Sequence, residues 1–247
     1  MILILAVTLT GFFTSALSGA AGLGGGTILI GVLYALGLPP TQAVPLFAAV
    51  QFVSNTSRTV AYVKHVEWRA AGWFLLAGVP AAFLVAPYVA DINASLVLLI
   101  LAALILASLA PTSRPEPLPR TPAFLLAGFL NGSIGMFVGA TGLFVGRLFL
   151  RPEWHKEKVI GTLALTQSLG HLLRVMAYGF AGFTVLAQPQ LLLPLCVSVI
   201  AGTAAGRRMN ARLSEDNFGR LFRVILVALS AKLIWDGLRG LGWLGGV

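Results

Sequence analysis

Apolar residues in this chain come in long continuous runs, separated by short polar, basic or glycine-rich stretches. The runs do not alternate with period two, which excludes half-buried strands and a membrane barrel, and they carry few charges. They predict helices that cross a bilayer. In the first half, residues 1–17 and 26–38 flank a glycine break, and spans follow at 41–63, 69–89 and 93–111. In the second half, 121–135 and 141–150 flank a break, and spans follow at 156–178, 186–206 and 220–244. A span needs about 20 residues to cross about 30 Å of hydrocarbon. The arm 26–38 has only 13 residues, roughly 20 Å at 1.5 Å per residue, and the arm 141–150 is shorter still. Each glycine-broken pair is therefore expected to form a re-entrant or broken-helix hairpin with its turn at membrane depth. Non-helical backbone is tolerated there only against protein or a wet cavity. The other reading of these glycines is close helix packing.

The two halves echo each other. "GFFTSALSGAAGLGGG" (11–26) parallels "GFLNGSIGMFVGATGL" (128–143), and "VQFVSNTSRTVAY" (50–62) parallels "TQSLGHLLRVMAY" (166–178). The second match pairs Gln51 with Gln167, Asn55 with His171, Arg58 with Arg174 and Tyr62 with Tyr178. The proline-rich segment "TSRPEPLPR" (112–120) cannot continue a span and separates a first repeat, 1–111, from a second, 121–247.

Charge then orients the halves. Basic residues cluster at Lys64/Arg69, Arg114/Arg120, Arg151/Lys156/Lys158 and between Arg207 and Arg223, whereas 37–41, 90–93 and 181–190 are neutral or acidic. By the positive-inside rule the basic loops are cytoplasmic. Each basic loop of one half corresponds to a neutral or acidic loop of the other, so the halves are expected to have inverted topology, a recurring design of secondary transporters. The expected fold is an all-α integral membrane protein of two inverted-topology repeats. Each repeat is a hairpin plus three transmembrane helices, and both termini lie outside. The apolar N-terminus is read as a retained segment, and Trp68 and Trp154, beside basic loops, as interfacial belt residues.

Composition agrees: hydrophobic residues make up 57% and charged residues 10%, against about 25% charged in a soluble domain. The net charge of +9 follows from the loops and not from a nucleic-acid patch. Cys196 is the sole cysteine, and His65, His155 and His171 are scattered. No metal site, cofactor or nucleophile–base pair is expected, and the chain is not read as an enzyme.

The unusual feature is a polar stripe. Gln51, Asn55, Arg58 and Tyr62 fall within an arc of roughly 60° on one helix at 100° per residue, and Gln167, His171, Arg174 and Tyr178 repeat it. A charge at the bilayer centre costs about 2.5–3.5 kcal/mol on insertion scales. No acidic residue lies centrally in any span to pair with the arginines. The missing counter-charge is read as an anionic ligand held between Arg58 and Arg174, because a guanidinium offers paired donors to an oxyanion. Gln51, Ser54, Asn55, Gln167 and His171 would add hydrogen bonds. The glycine tips, Gly24, Gly25, Gly26 and Thr27 in one half and Thr141 and Gly142 in the other, would close the cage, and Tyr62 and Tyr178 rank lower as gate-lining residues. Competing readings stay open: arginines that snorkel to headgroups, amides that bond between helices, and a histidine that packs or carries a proton.

The chain resembles the TauE/SafE-type sulfite exporter family. The resemblance rests on "SGAAGLGGGTILIGVLYALGLPPTQAV", "GTLALTQSLGHLLRVMAYGFAGF" and "AGTAAGRRMNARLSEDNFGRLFRVILVALSAKLIWDG". It implies a bacterial inner-membrane carrier, an exporter of sulfite, an organosulfonate or a similar sulfur anion. The partners expected are the bilayer and that anion, with a homodimer allowed and no nucleic acid. An anion channel of the same architecture, or a carrier of another small organic anion, is the alternative. The second-half counterpart of the glycine run, "FVGATGLF", lacks its triple glycine.

Overall fold

The computed structural model describes the chain apart from residues 1, 22–24, 111–117, 184, 186–188, 210–214 and 245–247, and apart from the side chains of 2–3, 18–21, 207–209, 215–219 and 221. Among the described residues every regular element is helical. The first half holds α1 (Ile2–Ala21), α2 (Gly25–Ala35), α3 (Pro40–Ala61), α4 (Trp68–Val85) and α5 (Ala94–Leu109). The second holds α6 (Arg120–Gly132), α7 (Ile134–Val138), α8 (Gly142–Val145), α9 (Lys156–Phe180), α10 (Pro189–Met209) and α11 (Glu215–Gly240). Short 3₁₀ turns follow α3, α4 and α8.

The ends follow local chemistry. Pro40 opens α3 at a position where the missing N–H costs nothing. Asn93 caps α5 by accepting from the Ser95 N–H at 2.8 Å. Gly139, at φ +82°, takes the left-handed conformation that ends α7 and turns the chain into α8.

The first-half hairpin arm, α1, is continuous over 20 residues. Its second-half counterpart is not. The arm expected at 121–135 breaks at Ser133, whose backbone (φ −99°, ψ −87°) separates α6 from α7. The break falls in "NGS" (131–133), a glycine–serine step of the kind at which helices kink.

Helices α3 and α9 form the centre and run antiparallel, with Thr56 and Ser168 hydroxyls 2.6 Å apart at their crossing. Their buried faces carry a polar patch: Gln51, Ser54, Asn55 and Thr59 on α3, and Thr162, Thr166, Gln167, Ser168, His171 and Arg174 on α9. The outer helices are the reverse. Leu84 on α4, Val197 on α10 and Val224 on α11 expose 73%, 69% and 61% of their surface. An apolar rim around a polar centre suits lipid and not water. Two helices, Trp68–Tyr88 and Pro189–Gly206, meet a full-span criterion of length and apolarity among the described residues, while α5 is a shorter apolar helix.

Around the centre, α1 packs on α10, α4 on α6, α5 on α11, α4 also on α9, α10 also on α3, and α2 on α11. Two of these seams are lined by glycine. A Cβ at Gly128 or Gly132 would stand 2.0 or 2.3 Å from the Phe74 or Gly78 carbonyl oxygen of α4. A Cβ at Gly202 or Gly206 would stand 2.2 or 2.0 Å from the Phe12 or Ala16 carbonyl oxygen of α1. Both are small-x3-small contacts that let backbones touch, as membrane helices do where no hydrophobic force drives them together. Trp154 is not at an interface with lipid: it is 8% exposed, stacked on Phe124 at 5.8 Å and covered by the Lys158 ammonium at 5.1 Å. Trp68 is exposed, as expected of a belt residue.

Candidate functional site

A cavity of about 510 Å³ of atom-free space, part of it continuous with solvent, lies where α3 and α9 cross beside both hairpin tips. From α3 it is lined by Gln51, Asn55 and Arg58, with Phe47 at one end. From α9 come Gln167 and His171, with Ile160, Leu163 and Ala164 as an apolar wall. The start of α2 contributes Gly26 and Thr27, and the α7–α8 turn contributes Ala140, Thr141 and Gly142. Nine of the sequence-predicted positions thus share one cavity: Gly26, Thr27, Gln51, Asn55, Arg58, Thr141, Gly142, Gln167 and His171.

The others are elsewhere. Ser54 is buried in α3 but does not line the cavity, and neither does Gly25. Gly24 lies outside the described residues. Tyr62 is the half-buried residue that ends α3 and faces Gly161. Tyr178 is fully buried and donates to the Met136 carbonyl at 2.8 Å, while Tyr34 donates to the neighbouring Phe137 carbonyl at 3.1 Å. Both tyrosine hydroxyls therefore pin carbonyls of the short α7.

Arg174 differs most from expectation. It is fully buried, stands behind the cavity wall, and has its donors engaged by protein. Nε donates to the Gly135 carbonyl at 2.7 Å, Nη1 to His171 Nδ1 at 2.9 Å, and Nη2 to Asn131 Oδ1 at 2.5 Å and to its carbonyl at 3.3 Å. The Asn131 carbonyl lies in the last turn of α6, where a helix end leaves acceptors unsatisfied and negative; the Gly135 carbonyl, across Ser133 in α7, also accepts the Gly139 N–H at 3.0 Å. Arg174 is thus the cap of a broken helix. Space for it depends on Gly135, whose Cβ would lie 2.4 Å from Nη2, and on Gly170, whose Cβ would lie 2.5 Å from Asn131 Nδ2. At the position equivalent to Ser133 the first half has Ala16, inside continuous α1. Among the described residues α1 has no such break, and Arg58 lines the cavity. The two arginines match in sequence and differ in placement.

Two other cavity-lining residues carry unpaired polar atoms. Gln167 Nε2 and Thr141 Oγ1 are buried without a hydrogen-bond partner. A lone buried polar group of this kind costs about 1–3 kcal/mol unless something satisfies it. Gln51 lies over the α2 start, where a Cβ on Gly26 would come within 2.1 Å of its Nε2. Asn55 Nδ2 is used locally, donating to the Gln51 carbonyl at 2.9 Å. Among the described residues no carboxylate lines the cavity, and no group of three metal-ligating side chains occurs.

At the end of the cavity that carries Arg58 and Ile160, the α3–α4 loop meets the start of α9. Lys158 pairs with Glu67 at 2.7 Å, and the Glu67 N–H donates to Thr162 Oγ1 at 2.9 Å. The hydrogen bond from Lys158 holds the Glu67 carboxyl below the usual carboxylate range. His65 and His155 touch across the same junction at 3.4 Å. The two basic loops, 64–69 and 151–158, are therefore neighbours.

Among the described residues, a cavity with a cation and no carboxylate in its wall thus lies inside an all-helical molecule with an apolar rim. The chain matches the profile of the sulfite exporter TauE/SafE family over residues 7–233 and belongs to that family. That family is one of multi-pass membrane transporters, described as sulfite exporters. No curated protein and no solved structure matches the chain.

Asn131 escaped sequence reasoning, although the turn-prone "NGS" around it is a readable signal inside an apolar arm. The apolar wall of Phe47, Ile160, Leu163 and Ala164 carries no sequence signal of its own, because such residues fill helices everywhere.

Proposed function

We propose that the protein is a secondary carrier that exports a small sulfur oxyanion, sulfite or an organosulfonate, by alternating access. The observation that carries this reading is the cavity at the α3–α9 crossing. Arg58 is in its wall, buried polar atoms of Gln167 and Thr141 are unpaired, and no carboxylate lines it among the described residues. Arg58 supplies the paired donors for the –SO3 oxygens. Gln51, Gln167, Thr27 and Thr141 supply further contacts, and His171 adds one donor. Arg174 acts behind the wall.

The two repeats, 1–111 and 121–247, are read as inverted halves joined by the 112–120 linker. Packing supports this: exchanging each first-half helix for its counterpart turns α1 on α10 into α6 on α4, and α4 on α9 into α10 on α3. It leaves the α3–α9 and α5–α11 pairs unchanged. The meeting of loops 64–69 and 151–158 supports a common cytoplasmic side for them, in a bacterial inner membrane with both termini outside. On this reading Arg58 and Ile160 lie at the cytoplasmic end of the cavity, the loading side of an exporter. A singly charged anion leaving an inside-negative cell gains about 2.3 kcal/mol per 100 mV, so uniport needs no coupling ion.

The test is a thermal-shift panel on purified protein with sulfite, a short alkanesulfonate, sulfate, phosphate and acetate. Sulfite and the sulfonate are expected to raise the unfolding midpoint most. A ranking led by acetate or phosphate would contradict the substrate class.

A further inference from the structure

We infer that Arg174 is a positioning residue that fixes His171 as a neutral imidazole with its proton on Nε2, making His171 a permanent hydrogen-bond donor to the transported anion and not a proton carrier. The inference rests on the functional reading of this cavity. A guanidinium has five N–H donors and no acceptor. His171 Nδ1, 2.9 Å from Arg174 Nη1, must therefore accept, and an accepting Nδ1 carries no proton. The ring's one proton is then on Nε2.

Each neighbour holds this arrangement in place. Arg174 cannot turn away, because Nε and Nη2 are committed to Gly135 and Asn131 across the Ser133 break. The imidazole is 3% exposed and sits edge-on to Phe47, with ring centroids 5.3 Å apart and planes at 79°. The ring lines the cavity, and its Nε2 edge makes no hydrogen bond to the described residues. Charging the ring would set an Nδ1–H against an Arg174 N–H and cost the Nη1 bond. A proton relay through this histidine would have to give up the Nη1–Nδ1 bond at every turnover while Nε and Nη2 hold the guanidinium in place. An Nε2–H donor accepts only a ligand that offers a lone pair there, which every oxygen of a fully ionised –SO3 group does and a protonated acid oxygen does less well.

The test is ¹⁵N NMR of the full-length protein labelled at histidine, in detergent or nanodiscs, with the His171 signals assigned by their loss in His171→Gln. The expected spectrum has an unprotonated Nδ1 and a protonated Nε2, and sulfite shifts the Nε2 resonance. A proton on Nδ1, or an imidazolium at neutral pH, overturns the proposal. An Nε2 signal that stays still at sulfite concentrations that saturate the thermal shift overturns the donor role. Sulfite that gives no thermal shift at all refutes the functional reading instead, whatever the tautomer. A second variant separates positioning from folding: Arg174→Lys keeps a donor toward Nδ1 and is expected to retain the Nε2–H signature. Arg174→Met is expected to yield mixed tautomers and a rise in KM of about 2- to 12-fold, the worth of one hydrogen bond. An unchanged tautomer in folded Arg174→Met overturns the positioning role.

Discussion

Replacing Gly128 by alanine tests whether the helices of this protein are held by direct backbone contact. The new Cβ would stand 2.0 Å from the Phe74 carbonyl oxygen, 2.8 Å from its carbon and 3.0 Å from its Cα. All three are backbone atoms, so no rotamer change relieves the clash. Restoring even 3.0 Å requires α4 and α6 to part by 1.0 Å (3.0 − 2.0). The seam continues one turn on at Gly132, 2.3 Å from the Gly78 carbonyl by the same measure, so the separation opens both contacts. Overpacking costs about 1–3 kcal/mol, and a rigid two-helix seam belongs at the upper end. Alanine recovers about 1 kcal/mol through helix propensity, leaving a net loss of about 2 kcal/mol. At about 2–4 °C per kcal/mol for a chain of this size, the midpoint falls by about 4–8 °C. The assay is fluorescence-detected size-exclusion after a temperature ramp in detergent. Gly72→Ala is the control, since it lies on α4 itself with nothing within 4 Å of the added Cβ, and its midpoint should hold or rise. A Gly128→Ala midpoint no lower than that of Gly72→Ala would refute the reasoning.

Three further outcomes follow from the same geometry. Gly26→Ala pushes its Cβ to 2.1 Å from Gln51 Nε2, a side-chain end that can move; KM for sulfite should rise about 2- to 12-fold with little change in stability, and a large midpoint loss with unchanged KM would count against it. Tyr178→Phe strips the Met136 carbonyl of its donor and should cost about 0.6–1.7 kcal/mol, the range for hydrogen bonds between membrane helices, read as a lower midpoint. The depressed Glu67 carboxyl contributes stability that is present above its unfolded value, about 4.3, and lost as pH falls through its lower folded value. Lys158→Met should therefore weaken that acid-side dependence by no more than about 1 kcal/mol for a partly exposed pair, and identical midpoint-versus-pH curves for both proteins would show that the pair does not matter.

Much of the fold was legible because a bilayer leaves few options. Apolar runs become helices, and α3 and α9 begin and end within a residue or two of the expected 41–63 and 156–178. The polar stripe was legible because Gln51, Asn55, Arg58, Gln167 and His171 are costly inside an apolar span, so their shared face carries information. The split between Arg58 and Arg174 was not legible from the stripe alone. It depends on Ser133 breaking one hairpin arm while Ala16 leaves the other intact, and on Gly135 and Gly170 making room for a capped guanidinium. Trp154 was misplaced for a similar reason: proximity to basic loops marks a belt residue only if the side chain faces lipid, and Phe124 and Lys158 enclose this one. Internal symmetry in sequence predicts equivalent positions, but equivalent positions share a role only where the backbone around them is equivalent too.

The central claim is that Arg58 binds the transported anion in a carrier. It is tested most directly by sulfite counterflow in proteoliposomes, comparing the parent protein with Arg58→Gln at matched reconstitution. The account predicts saturable, trans-stimulated sulfite exchange in the parent. In Arg58→Gln, KM should rise about 10- to 150-fold, the worth of about 1.5–3 kcal/mol for a charge-assisted hydrogen bond. Equal KM and equal exchange in the two proteins would contradict it.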